Sequence, residues 1–90
     1  MKKYMIERHI PSIGTFEHEQ YKAAAGKSNE VLKELGPEIE WIESFVAADQ
    51  TFCVYRASGK EIIQKHSEIS GFPANKITEL CTDIGPDTAN

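Results

Sequence analysis

The spacing of apolar positions changes early in the chain from every second residue to every third or fourth. Residues 3–10 alternate and stop at Pro11, which predicts a strand, and Pro11-Ser12-Ile13-Gly14 reads as a loop. Thr15 is the expected N-cap of a long helix, with Glu17 and Glu19 favourably placed near the positive end of its dipole. Tyr21, Ala24, Ala25, Ser28, Val31, Leu32 and Leu35 then share one helical stripe, and Gly36-Pro37 closes the element. Alternation returns over residues 39–47 and 52–57. Ala48-Asp49-Gln50-Thr51 lies between them as the turn of a hairpin. Ser58 and Glu61 have capping-box spacing and open a second helix whose inner side carries Ile62, Ile63, His66 and Ile69. That helix ends at Gly71-Phe72-Pro73, a last strand is expected over residues 76–84, and the polar segment 85–90 reads as a frayed tail. The predicted order is βαββαβ. It implies a single α+β domain over 1–90 of ferredoxin-like topology, with an antiparallel sheet of order 4-1-3-2 and both helices on one face.

Sorting the sheet faces depends on the hairpin. With Asp49 and Gln50 as the turn, Cys53 lies opposite Val46, Val54 opposite Phe45, and Tyr55 opposite Ser44. One face then carries Met5, Glu7, His9, Ile42, Val46, Cys53 and Tyr55. The other carries Tyr4, Ile6, Arg8, Trp41, Phe45, Phe52 and Val54. Two helices cover only one face, and the second is too apolar for a monomer surface. This predicts a homodimer packed sheet against sheet, with Tyr4, Ile6, Trp41, Phe45, Phe52 and Val54 at the interface.

Charge and composition narrow the partners. A net charge of −4 weighs against nucleic acid or an anionic membrane as a partner. No apolar run approaches the roughly 20 residues of a membrane span. The apolar stretch after Lys2-Lys3 is too short for a signal peptide, so the expected compartment is the cytoplasm, with Cys53 and Cys81 reduced. The cysteine spacing matches no zinc-finger or zinc-ribbon pattern.

The polar residues converge on one half of the predicted fold. His9 lies at the top of the first strand, His18 in the first turns of the helix beginning there, Cys53 and Tyr55 near the start of the third strand, and His66 in the upper half of the second helix. Imidazole, thiolate and carboxylate together suit a divalent transition metal. With Tyr55 the same groups suit acid–base chemistry. His18 reads more readily as a surface residue, and His66 equally as a core histidine bonded to Glu7 or Tyr55. Glu7, on a helix-covered face, demands a partner.

Several segments taken together carry a resemblance: Ile6-Glu7-Arg8 with Ile10-Pro11, Lys27-Ser28-Asn29, residues 35–41 (Leu-Gly-Pro-Glu-Ile-Glu-Trp), Phe52-Cys53-Val54-Tyr55, and His66 with Gly71-Phe72-Pro73-Ala74. In this combination the chain resembles a bacterial family of small proteins of unknown function that includes a nickel-binding member. The resemblance implies a dimeric ferredoxin-like fold, similar to the dimeric α/β barrels that include muconolactone isomerase and small monooxygenases. It also implies that Glu7, Tyr55 and His66, with Cys53 beside them, belong to a polar pocket. His9 departs from the family pattern, which more usually has an acidic residue there.

The leading expectation is therefore a homodimer that binds nickel or another divalent transition metal through Glu7, His9, Cys53 and His66. The first alternative is a small-molecule enzyme of the isomerase or monooxygenase kind, with Glu7 or His66 as base and Tyr55 as orienting donor. The second is a non-catalytic accessory or regulatory module.

Overall fold

The structure is a computed structural model and describes residues 1–90. Its elements run β1 (Lys2–His9), α1 (His18–Leu35), β2 (Ile39–Val46), β3 (Gln50–Ala57), α2 (Lys60–Ser70) and β4 (Lys76–Leu80), with single 3-10 turns at Ile13–Thr15, Gly36–Glu38 and Pro86–Ala89. The four strands form one antiparallel sheet of order β2-β3-β1-β4, which is the predicted order read from the other edge. No helix is long and apolar enough to cross a membrane.

The helix boundaries follow local chemistry more closely than the expected caps. Glu17, not Thr15, caps α1. Its carbonyl accepts from the N–H of the third helical residue, Gln20, at 2.9 Å, and the Gln20 side chain accepts from the Glu17 N–H at 2.8 Å. Thr15 is used one turn earlier, donating to the Ser12 carbonyl at 2.8 Å. Gly59 precedes α2, so Ser58 and Glu61 form no capping box. Gly71 ends α2 at φ 81°, ψ 0°, the left-handed C-cap that glycine adopts without a Cβ penalty. β4 stops at Leu80, short of residue 84, and the chain beyond it is fully exposed.

Register decides the two faces, and it inverts β1 relative to the expectation. Tyr4 pairs with Tyr55, Ile6 with Cys53 and Arg8 with Thr51, so these six share the face under the helices. Tyr4, Ile6, Tyr55, Cys53, Ala57, Ile39 and Ile63 form the core, with Leu32, Leu35, Trp41 and Ile77 packed against it. Met5, Glu7 and His9 therefore face outward. The hairpin tip is Ala48-Asp49, one residue earlier than expected, with Val46 opposite Thr51 and Phe45 opposite Phe52. A bulge between Trp41 and Glu43 leaves Ile42 as an extra, exposed residue and shifts the register once more.

The physical reason lies in β1 itself. Burying the alternate set Met5, Glu7, His9 would bring in a carboxylate and an imidazole, whereas Tyr4, Ile6, Arg8 brings in one cation on a long apolar stem. The expected interface is corrected accordingly. Tyr4 and Ile6 are core residues, and Trp41 is half-buried on the helix side. Phe45, Phe52 and Val54 do lie on the uncovered face, joined there by Met5. Ile69 is half-exposed rather than part of the inner stripe of α2, which is Ile63, His66 and Ser70.

Candidate functional site

The three register choices just described place a cavity of about 250 Å3 between α1 and the β2–β3 side of the sheet. Ten of its fourteen lining residues are hydrophobic. The sheet contributes Trp41, Val46, Cys53 and Tyr55, and α1 contributes Tyr21, Ala24 and Ala25, small residues that leave room above the strands. Ile13 and Phe72 complete the apolar wall from the two connections. The polar lining is Arg8, Ser28, Ser44 and Thr51, with no Asp or Glu.

Beside the cavity, a backbone clasp joins the loop after β1 to the β2–β3 turn. Gly14 N–H donates to the Ala48 carbonyl at 2.9 Å, Ile10 N–H to the Asp49 carbonyl at 3.1 Å, and Ser12 N–H to Asp49 Oδ1 at 2.8 Å. The approach is so close that a Cβ on Gly14 would stand 2.8 Å from both the Ala47 carbonyl oxygen and the Ala48 Cα. Tyr21 ties α1 to the same loop by donating to the Ile13 carbonyl at 2.6 Å.

Behind the apolar lining lies a polar network. Arg8 is 3% exposed, and its Nη1 donates to Ser67 Oγ at 3.0 Å and to the carbonyls of Pro73 at 3.0 Å and Phe72 at 3.3 Å. Its Nη2 is buried and has no partner. The guanidinium carbon lies 5.9 Å from the centre of the Tyr55 ring. His66 does not line the cavity. Its Nε2 lies 3.1 Å from Ser28 Oγ, which does, and its Nδ1 is buried and unpartnered. Burial lowers the His66 pKa, the Arg8 charge lowers it further, and hydrogen bonding to Ser28 opposes them, so the ring is neutral at pH 7. Burial raises the pKa of Tyr55 against the opposing pull of Arg8 and Ser28, so its hydroxyl stays protonated. Cys53 Sγ lies 3.6 Å from Thr51 Oγ1.

The sequence-predicted ligands do not converge. Cys53, Tyr55 and His66 lie on the covered side of the sheet. Glu7 and His9 lie on the outer side, where Glu7 accepts from Gln50 Nε2 at 3.1 Å and pairs with Lys76 at 4.0 Å. His9 and His18 are exposed, and His18 is the first residue of α1. No three His, Cys, Asp or Glu side chains come together in a group that could hold a metal ion. Within the pocket region only Cys53 and His66 are soft donors, and a cationic guanidinium sits among them. That donor set does not fit a resident divalent metal. Arg8, Ser28 and Thr51 are site residues the sequence reading left out. The available signal was that Arg8 shares its alternation with Tyr4 and Ile6, the more apolar half of β1.

A family model described as "Nickel responsive protein SCO4226-like" matches residues 4–80. The chain belongs to this family. Among solved structures it is similar to SCO4226 from Streptomyces coelicolor A3(2), with a TM-score of 0.76 at 16% identity over 91% of this chain and 99% of that one. At that identity the likeness carries the fold alone. No curated protein matches. The family's description links it to nickel, and SCO4226 shares the ferredoxin-like arrangement of sheet and helices seen here.

Proposed function

We propose that this protein is a binding module for a small, largely apolar organic molecule, held in the cavity between α1 and the sheet. The observation that carries this reading is the cavity itself, about 250 Å3 lined mainly by aromatic and aliphatic groups together with a few polar ones. That composition is the usual one for a small-ligand site, and the size, under the roughly 300 Å3 at which drug-sized sites begin, suits a single-ring compound. The test is ligand-detected NMR with neutral single-ring compounds such as phenol and cyclohexanol. Saturable binding is expected, and Ala25→Phe, which fills the cavity from α1, should remove it while circular dichroism stays unchanged. Binding that survives the filled cavity would reject the site.

The family description favours a second reading, in which nickel is the ligand. Glu7 and His9, two residues apart on the outer face, are the sequence-predicted ligands that lie there, and these two donors by themselves make an incomplete set. Calorimetric titration with Ni(II) separates the readings. On the nickel reading, Glu7→Gln with His9→Ala lowers the affinity and His66→Ala leaves it alone. Ni(II) affinity that drops with His66→Ala instead would place the ion in the interior. A second copy of the chain is the proposed partner for the outer face, where Met5, Phe45, Phe52 and Val54 lie together and Glu7–Lys76 and Arg56–Glu40 ion pairs stand beside them.

A further inference from the structure

The polar lining of the cavity is electrically incomplete. Arg8 is nine-tenths and more buried, yet it forms no ion pair, and every partner of its Nη1 is neutral. The carbonyls it meets follow the end of α2, where the helix dipole offers at most about half a negative charge. Nη2 has no acceptor at all. Tyr55 beside it is protonated and supplies no anion. An unpaired buried cation is among the costliest arrangements a fold can hold, and a guanidinium bonds carboxylates better than any neutral acceptor.

We propose that the occupant of the cavity is a small aromatic carboxylate, paired with the guanidinium of Arg8, which lines the cavity, with its ring among Tyr21, Trp41 and Phe72. This inference rests on the pocket reading above and names its ligand class. A wholly apolar ligand would leave the guanidinium without a counter-ion, and a cationic ligand or a bare metal ion would meet its charge. The carboxylate supplies the missing counter-ion, and the aromatic wall takes the rest of the molecule.

Trp41 is the one tryptophan of the chain and lines the cavity, so its fluorescence reports occupancy directly. Wild-type protein is titrated with three compounds of nearly one shape: benzoate, neutral benzamide and cationic benzylamine. Benzoate should bind roughly tenfold or more tighter than benzamide, the worth of a charge-assisted hydrogen bond, and benzylamine should bind weakest. Arg8→Gln should erase the benzoate advantage and leave benzamide unchanged. If that variant does not fold, the three-compound comparison on the wild type decides alone. Equal affinity for benzoate and benzamide, or a preference for benzylamine, overturns the carboxylate assignment and leaves the pocket standing. Silence toward all three at millimolar concentration overturns both.

Discussion

Arg8 shows how one residue can choose a strand's inner face. Its stem is buried with Tyr4 and Ile6 while its guanidinium reaches the carbonyls beyond α2, and that choice sends Glu7 outward to Lys76. The sequence reading put Glu7 on the covered face of β1 and the structure puts Arg8 there instead, because the two compete for the same role in adjacent positions and only the partner strand's register decides. His66 was legible as an inward-facing residue of the second helix, and it is fully buried. It carries a pH signature with a definite sign. Its folded pKa is lowered below the ordinary 6.5, so the folded state binds fewer protons than the unfolded chain. Its contribution is complete above pH 6.5 and is lost as the pH falls toward the lowered folded value. Urea midpoints measured between pH 7.5 and 5 should therefore decline for the wild type. His66→Gln should flatten that decline. A wild-type midpoint that rises on acidification would contradict the assignment.

At the level of elements, strongly periodic segments were readable and their ends were not. The α1 stripe from Tyr21 to Leu35 faces the sheet as predicted, since seven apolar or small residues at helical spacing leave no other amphipathic solution. The caps moved because Glu17 with Gln20, and Gly59, satisfied the local backbone before the expected Thr15 and Ser58 did. The clasp beside the cavity was not legible, because it arises where the loop after β1 meets the β2–β3 turn, a contact between segments distant in sequence. Gly14 is the point of closest approach. Gly14→Ala meets backbone rather than a flexible side chain, so relief requires the loop or the turn to shift. A loss of about 1–3 kcal/mol is expected, in the range of core overpacking. Gly26→Ala is the control, with open space around the added methyl and a helical position that favours alanine by roughly 0.5–1 kcal/mol. Thermal melts of the two variants should move in opposite directions.

For the whole molecule, topology was the most legible property and assembly the least. The βαββαβ order follows from element count, hairpin and crossover, and the sheet order is as expected. The outer face retains a Phe45–Phe52 cross-strand pair with Val54 and Met5 alongside, although the register replaced half of the residues first assigned to it. If two copies meet there, Phe45→Glu with Val54→Lys should yield a monomer by light scattering at micromolar concentration. The wild type should sediment at twice the chain mass. A monomeric wild type would assign those side chains to a different partner.

The bulged register of β2 has a further effect on how copies can meet. β2 is an outer strand of the sheet, and the displaced Ile42 interrupts the row of amides and carbonyls that a neighbouring chain would need to extend the sheet sideways. The opposite rim, β4, is only five residues long and carries Lys76 and Glu79. Both rims disfavour lateral pairing, so crowding should drive this protein toward closed, countable assemblies and away from fibres.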